Sequence, residues 1–281
     1  MMPRPRLSLF AASMLALLAP CSLAVAETVG GADHAAWRDD AALHDVCFID
    51  AEQGWAVGDH GAIWHSADGG ATWEAQESGS SATLHGVSFV DSQIGFCVGT
   101  LADGSTSDGQ SQGVVLATTN GGQAWNTLSA VVPGLHRVKF FNRREGIAVG
   151  RGSPARTGGV YVTTSAGQGW QPLGSGSRQT WLAADFVTLS QGAMAGVGGI
   201  AGTLQDGRYA VPPAIDLAGR TLRDLALQPP INGWLVGDGG LALTTSDLGA
   251  HWQVVASLPP KLSDDFDFYG VAVSDAHVWL A

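Results

Sequence analysis

One short motif returns four times along this chain, and it constrains the fold more than any other feature of the sequence. The copies are HSADGGATW (His65–Trp73), TTNGGQAW (Thr118–Trp125), TTSAGQGW (Thr163–Trp170) and TSDLGAHW (Thr245–Trp252). Each ends in tryptophan and has a glycine three residues earlier. Self-similarity of this kind is typical of repeat architectures, in which each copy marks one structural unit.

A longer similarity surrounds each motif. The units run over Leu43–Gln76, Leu84–Leu128, Leu135–Leu173, a fourth from Trp181 that lacks the motif, Leu222–Val255, and a sixth from Tyr269. A complete unit holds four short runs that favour β-strands, each bounded by Gly, Asp or Asn. Four antiparallel strands in a unit of about 40–50 residues are typical of a propeller blade. The sequence therefore predicts an all-β protein, a β-propeller of four-stranded blades, with about five and a half blades present.

The motif itself is predicted to be a turn between the third and fourth strands of a blade. Asp68 is expected to accept backbone N–H groups across the turn, Gly69 and Gly70 to allow positive φ, Thr72 to start the outer strand, and Trp73 to pack on the blade. Asp68 is replaced by Asn120, Ser165 and Asp247 in the other copies, which favours turn geometry over catalysis. The structural positions predicted in this way are Ser66, Asp68, Gly70, Thr72, Trp73, Asn120, Gly122, Trp125, Gly167, Trp170, Asp247, Gly249 and Trp252.

The amino terminus has the pattern of a secretory signal peptide. MMPRPR is basic, an apolar run follows, and Ala24-Val25-Ala26 is a small-residue cleavage site. The predicted organisation is a signal peptide over residues 1–26 and a propeller over 27–281, exported to the periplasm or outside the cell. Cleavage leaves 12 basic and 25 acidic side chains, a formal charge of −13. That charge disfavours binding to nucleic acid, and no later apolar stretch is long enough to embed the chain in a membrane.

Two cysteines remain after this cleavage, Cys47 and Cys97. They fall at non-equivalent positions of their units, so two separate, free thiols are favoured over a disulfide.

The repeats resemble a known family. S-x-D-G-G-x-T-W is similar to the Asp-box, or bacterial neuraminidase repeat. The longer pattern L-x-D-V-x-F-x-D…G-W-A-V-G-D-x-G-x-I resembles the photosystem II stability and assembly factors. The resemblance implies a seven-bladed, lumenal or periplasmic propeller without cofactor, metal or catalytic residues, which binds a protein client, in that family a membrane protein. Five and a half units do not complete seven, and HVWLA stops in mid-blade, so a truncated carboxyl terminus is expected.

A sialidase-like or other Asp-box glycoside hydrolase is the alternative. Such enzymes need two placed carboxylates or a tyrosine nucleophile, together with arginines that hold the sugar. The tyrosines are Tyr161, Tyr209 and Tyr269, and several acids, Asp50, Asp59, Asp91 and Asp238, fall in predicted turns. The scaffold is therefore preferred to the enzyme.

His44, His85 and His136 occupy the same place in three consecutive units. Imidazoles are common metal ligands, so a shared metal site is one hypothesis. The expectation is against it, because neighbouring blades are expected to hold these positions well apart.

A basic cluster stands out in the acidic chain and is the candidate partner-binding site: Arg137, Lys139, Arg143, Arg144, Arg151 and Arg156. Arginines suit carboxylates or phosphates on a partner, and an arginine patch is thought to engage the client in the resembling family. Strand geometry divides the cluster between the channel, the face that carries the motifs and the opposite face. Two long loops, Thr100–Gly113 and Arg151–Gly159, are predicted to be neighbours on that opposite face.

Overall fold

The fold is known from a computed structural model, which describes residues 41–105, 111–153, 158–174, 179–212, 216–255, 266–274 and 277–281. Five four-stranded antiparallel sheets follow one another along this part of the chain, and a two-stranded sheet comes after them. The predicted propeller of four-stranded blades is confirmed. Within the described residues, no helix has the length and apolar character that crossing a bilayer requires.

Each blade uses its strands in sequence order, so that the first is innermost and the fourth outermost. The strands of blades 1 and 2 are β1 (Leu43–Phe48), β2 (Gly54–Gly58), β3 (Ile63–Ser66), β4 (Glu74–Gln76), β5 (Thr83–Phe89), β6 (Gly95–Ser105), β7 (Ser111–Thr118) and β8 (Asn126–Thr127). Those of blades 3 and 4 are β9 (Leu135–Phe140), β10 (Gly146–Gly150), β11 (Val160–Thr163), β12 (Gln171–Pro172), β13 (Trp181–Thr188), β14 (Gln191–Gly196), β15 (Ala201–Gln205) and β16 (Arg208–Ala210). Blade 5 holds β17 (Leu222–Gln228), β18 (Asn232–Gly237), β19 (Leu241–Thr245) and β20 (Gln253–Val254), and the two-stranded sheet holds β21 (Val271–Val273) and β22 (Val278–Leu280). One 3-10 turn, Asp59–Gly61, joins β2 to β3.

Aromatic residues fill the joint between blades 1 and 2. Trp55 of β2 stacks on Phe89 of the next inner strand, with ring centroids 3.6 Å apart and planes 10° apart. Phe89 in turn meets Trp125 edge-on at 5.8 Å. Burying such large apolar surfaces is the main favourable term in blade packing.

A set of side-chain to backbone hydrogen bonds also connects neighbouring blades at the channel. A side-chain oxygen on one inner strand accepts a backbone N–H from the inner strand of the following blade. The four cases are Asp45 with Val87 N at 2.9 Å, Ser88 with Phe140 N at 2.9 Å, Asp185 with Leu227 N at 3.0 Å and Asp224 with Val271 N at 2.9 Å. Inner-strand N–H groups that would otherwise lack a partner are satisfied in this way.

Every complete blade also has a β-bulge near the start of its inner strand. The register slips between the first and third residues of β1, β9, β13 and β17, and between the second and fourth residues of β5. A bulge re-aims the side chains beside it. The extra residue is His44, His85 and His136 in the first three blades, and Arg223 in the fifth.

Candidate functional site

The Asp-box turns lie together on one face, here called the box face. In each box a backbone N–H donates to a carbonyl in the turn between the first and second strands of the same blade. Examples are Gly69 N to the Glu52 carbonyl and Ala166 N to the Arg144 carbonyl, both at 2.9 Å. The opposite face carries the loops between second and third strands and is called the loop face. A residue in a first-to-second turn therefore lies on the box face.

The blade 1 box is a closed set of local hydrogen bonds. One oxygen of Asp68 accepts the Thr72 N–H at 2.8 Å, and the other accepts the Thr72 hydroxyl at 2.6 Å. The Ser66 hydroxyl donates to Asp68 at 2.9 Å and accepts the Gly70 N–H at 2.8 Å. These bonds from Thr72 hold the pKa of Asp68 below its ordinary value. Thr72 lies within the turn, since the outer strand begins at Glu74, so the prediction that Thr72 starts the strand is wrong.

The same set of bonds recurs in the other boxes although the residues differ. Asn120 accepts from Ala124 N at 3.0 Å, Ser165 from Gly169 N at 3.0 Å and Asp247 from His251 N at 2.9 Å. In each box a buried hydroxyl holds the glycine N–H, and sequence analysis gave three of these hydroxyls no role: Thr118, Thr163 and Thr245. The acidic residue of the box is thus interchangeable with Asn or Ser because its task is to accept a backbone N–H.

The other acids that sequence analysis considered have local partners. Asp50 and Asp91 each accept two backbone N–H groups of their own turns, and these bonds lower the pKa of both carboxyls. Asp59 lies 2.9 Å from His44 Nε2, and Asp238 pairs with Arg223. These four carboxylates therefore either accept hydrogen bonds within turns or form ion pairs in the structure.

The three histidines form a column across blades 1, 2 and 3. The ring centroids of His44 and His85 are 5.2 Å apart, and those of His85 and His136 are 4.9 Å apart with nearly parallel planes. The expectation that neighbouring blades hold these positions well apart is wrong, because each histidine sits on the bulge and points along the ring. Burial, helped by nearby positive charge, lowers the pKa of His85 to about 4 and of His136 to about 3. Among the described residues, no group of three or more His, Cys, Asp and Glu side chains is placed to hold a metal ion.

Two members of the basic cluster lie in the channel. Arg137 is largely buried and donates to the His85 and His136 carbonyls at 3.0 and 3.1 Å. Lys139 lies 3.1 Å from Asp185 of blade 4 and is half exposed. Both are engaged by their own chain.

The remaining members divide between the two faces, as strand geometry predicts. Arg143 and Arg144 are exposed on the box face, where Arg143 forms a 3.0 Å pair with Asp91. An exposed pair of this kind contributes about 0–1 kcal/mol and exchanges readily for another carboxylate. Arg151 is exposed on the loop face and its carbonyl accepts the Tyr161 hydroxyl. Arg156 lies outside the described residues, as do parts of both long loops. The structure therefore brings Arg143 and Arg144 together and separates them from Arg151.

Cys47 and Cys97 are both free, and Cys97 is buried. Burial raises the pKa of both thiols, which keeps them protonated and poorly nucleophilic.

Sequence analysis missed a cation on the loop-face side of blade 5. The Arg223 guanidinium lies 4.5 Å from the centre of the Tyr269 ring, and it also pairs with Asp238. Arg223 occupies the bulge position that histidines occupy in blades 1–3, and this equivalence is the sequence signal that could have identified it.

Comparison with known proteins defines first a class and then a family. Among solved structures, "YCF48 bound to D1 peptide" matches with a TM-score of 0.64 and 23% identity, covering 86% of this chain and 75% of that one. An ancestral GH74 enzyme, AFV00434, matches with a TM-score of 0.61 and 14% identity over 83% of this chain and 33% of its own. The WD40 propeller domain of Doa1 gives a TM-score of 0.57 and 15% identity, covering 83% and 72%. At these identities the similarity establishes the propeller fold alone.

The family comes from a sequence model. The model for the photosynthesis system II assembly factor YCF48 matches residues 33–180, which is 148 of the 281 residues. The chain belongs to this family of Asp-box propellers, as its repeats predicted. A search of curated proteins found no significant match.

Proposed function

We propose that this chain is an exported, non-catalytic scaffold that binds a protein client at or near a membrane, the client being a membrane protein. The observation that carries the proposal is family membership, because the match to the assembly factor spans the first three blades. A solved relative of the same fold is described as bound to a D1 peptide, which supports a peptide segment as the bound element. The signal-peptide pattern of residues 1–26 supports export.

The box face of blade 3 is the proposed contact surface. Arg144 is exposed there and forms no ion pair within the described part of the chain, and Arg143 holds Asp91 only through a surface pair. A guanidinium presents a planar fork that matches a carboxylate, and releasing Asp91 costs little. The turn that carries both residues is closed by Asn142, whose side-chain oxygen accepts the Arg144 and Glu145 N–H groups at 2.9 Å.

The roles of the described acids support a binding scaffold over an enzyme. An open cleft of about 510 Å³ beside blade 5 is lined by polar side chains and Trp234, and Asp247 is the one carboxylate among the described residues that line it. That carboxylate accepts the Thr245 hydroxyl at 2.7 Å and the His251 N–H at 2.9 Å, as a box residue does. Glycoside hydrolysis normally needs a second carboxylate on the other side of the bond.

Client binding is tested with Arg144→Glu in the full chain. Detergent-solubilised membranes of the source cells are incubated with immobilised protein, and recovered membrane proteins are quantified. The expected result is at least a tenfold loss of the recovered client, with the circular dichroism spectrum unchanged. Arg151→Glu is the matched control, since Arg151 is an exposed arginine of the same blade on the opposite, loop face. Equal recovery with both variants would contradict the assigned surface.

Export is tested separately. Fractionation of cells expressing the full chain should place it outside the cytoplasm, and amino-terminal sequencing should begin at Glu27. A cytoplasmic protein that retains Met1 would overturn this part of the proposal.

A further inference from the structure

The second-strand tryptophan of blade 1 shows what covers this position of a blade. Trp55 is 1% exposed, because Phe89 of the next inner strand stacks on its ring and the Asp-box turn of blade 2 lies at its edge. Within that turn the Gly121 carbonyl accepts the Trp55 Nε1–H at 3.3 Å. The covering element therefore comes from the following blade, and it is a turn that presents a glycine carbonyl.

Trp234 occupies the same position in blade 5. Trp55 lies opposite His65 of its third strand, and Trp234 lies opposite Thr244. The Trp234 indole is only half-buried and lines the open cleft of about 510 Å³. Within the described part of the chain, its Nε1 has no hydrogen-bond partner. An indole N–H in a partly buried site normally finds an acceptor, so this position lacks an element that blade 1 has.

The strand that follows blade 5 covers Trp234 only in part. Val273 stands where Phe89 stands in blade 2, since each lies two residues after a valine whose N–H donates to the preceding blade. A valine covers less of an indole than a stacked phenylalanine ring does. All of the described residues that line the cleft belong to blade 5, so no turn of a following blade enters it.

The two-stranded sheet beside the cleft is open on one side. β21 and β22 correspond to the first and second strands of a blade, and in every complete blade a third strand pairs with the second. Among the described residues β22 has no such neighbour, and Trp279, the counterpart of Trp55, is 39% exposed. In blade 2 a single hairpin fills both places, because its first strand pairs with β6 and its turn carries Gly121 to the preceding blade.

We propose that the cleft beside Trp234 and the free edge of β22 form one docking surface for a β-hairpin that carries an Asp-box turn. The strand before the turn adds to β22 through main-chain hydrogen bonds. The turn enters the cleft, where a glycine carbonyl accepts the Trp234 Nε1–H. This surface belongs to blade 5 and the sheet after it, so it is distinct from the arginines of blade 3.

An isolated hairpin fits this surface better than a second copy of the chain does. The box tryptophans of blades 2, 3 and 5, Trp125, Trp170 and Trp252, are already buried in their own chain. The blade 1 box is less covered, since Trp73 is half-buried, but blade 1 leads directly into four further blades. Two copies joined through it would place ten four-stranded blades in one ring, and propellers typically have about four to eight.

The probe for this surface is a synthetic peptide with the sequence of residues 114–128, the hairpin that covers Trp55 in blade 1. It is titrated into the full chain, and binding is followed by NMR through the indole N–H signal of Trp234. We expect a saturable shift of this signal. A peptide with Gly121→Ala and Gly122→Ala should bind about tenfold more weakly, because both residues have positive φ in the box.

Variants of the full chain locate the bound peptide. Trp234→Phe keeps an aromatic ring and lacks the N–H, so it should weaken binding about fivefold, the equivalent of one hydrogen bond. Trp64→Phe is the matched control, since Trp64 is a half-buried tryptophan of blade 1, and it should leave the affinity unchanged. Arg144→Glu should also leave it unchanged, which keeps this test independent of the proposed client surface.

Hydrogen exchange and sedimentation complete the test. The amides of β22 should gain protection when the peptide is saturating, because strand addition gives them partners. The chain alone should sediment as a monomer. Self-association that the peptide competes away would assign the surface to a second copy and overturn the proposal. An unmoved Trp234 signal, or equal affinity for the native chain and Trp234→Phe, would overturn it as well.

Discussion

Two neighbouring joints of the propeller have the same aromatic geometry and differ in their polar contacts. Between blades 2 and 3, Phe96 stacks on Phe140 at 3.5 Å and Phe140 meets Trp170 edge-on at 6.0 Å, which repeats the geometry of Trp55, Phe89 and Trp125 between blades 1 and 2. Gln76 of blade 1 accepts from Trp125 Nε1 at 3.2 Å and donates to the Gly121 carbonyl at 2.9 Å.

Leu128 of blade 2 takes the place of Gln76 at the second joint. Gln76 faces Gly122 of the following box, and Leu128 faces the equivalent Gly167. Leucine has no acceptor, and Trp170 Nε1 is buried without a hydrogen-bond partner among the described residues. The comparison shows that aromatic packing alone is sufficient to form a joint, while the amide adds hydrogen bonds and a directional link between blades.

The largest expected effect comes from removing the aromatic anchor at each joint. Trp125→Ala and Trp170→Ala should each lower the free energy of unfolding by about 3–5 kcal/mol, because both side chains are more than nine-tenths buried. Trp125→Ala should cost about 1 kcal/mol more, since it also leaves the Gln76 oxygen without a donor. Urea denaturation followed by circular dichroism measures both. Equal losses would show that the Gln76 bond contributes nothing.

Acid should weaken the second joint more than the first. The native pKa values of His85 and His136 lie below the unfolded value of about 6.5, so their contribution is complete above pH 6.5 and is lost as the pH falls toward 4. We expect a loss of about 2–4 kcal/mol between pH 7 and pH 5, measured by urea denaturation. The background is Asp45→Asn/Asp224→Asn, because burial raises the pKa of both carboxyls and their titration opposes that of the histidines.

The histidine contribution is assigned with two variants. His136→Phe keeps the stack and removes one titrating ring of the second joint, so it should abolish about half of the acid loss. His44→Gln at the first joint keeps a hydrogen-bond partner for Asp59 and should change the acid loss less. The reverse order would contradict the difference between the joints.

Converting the first joint into the second should be destabilising. Gln76→Leu leaves Trp125 Nε1 without its acceptor and leaves the Gly121 carbonyl with the 3.3 Å bond from Trp55 Nε1, which should cost about 1–3 kcal/mol. The test is the free energy of unfolding of Gln76→Leu beside that of Trp125→Phe/Gln76→Leu. In the double variant the indole N–H is absent, so part of the penalty should disappear.

The smallest effect is the opposite conversion, and it should be stabilising. Leu128→Gln offers an acceptor to Trp170 Nε1 and should raise the free energy of unfolding by up to about 1 kcal/mol. In a Trp170→Phe background the same substitution should give no gain, because no indole N–H remains. A gain in stability that persists in the Trp170→Phe background would show that it comes from another contact of the glutamine and not from a hydrogen bond to the indole.

The repeating units were predictable because each Asp-box turn is held by its own residues. Ser66, Asp68 and Thr72 lie within seven residues, so their spacing carries the geometry. Blade 4 lacks the box and still forms, through a two-residue turn at Asp206–Gly207 in which both residues have positive φ. That is the Asp-Gly combination which favours a tight hairpin, and the sequence analysis saw only a missing motif.

Contacts between units were harder to predict. The histidine column depends on a bulge in each inner strand. The repeat pattern aligns the three histidines, but it does not show that one extra residue turns their side chains toward one another. The role of Gln76 depends on a box 45 residues later. Arg137 appeared as one of six basic residues, and its partner Asp224 lies two blades away. Long-range pairs of this kind require the three-dimensional arrangement of the blades.

The hydrogen bonds that link the inner strands of neighbouring blades at the channel have a polarity, and this polarity has consequences for folding. In all four, the acceptor side chain belongs to the earlier blade and the N–H donor to the later one. A chain emerging from its amino terminus thus presents each acceptor before the strand that needs it has been made. In repeat proteins folding can nucleate in one unit and propagate to its neighbours. Vectorial synthesis and the hydrogen-bond pattern therefore run in the same direction, and each completed blade is a template for the next.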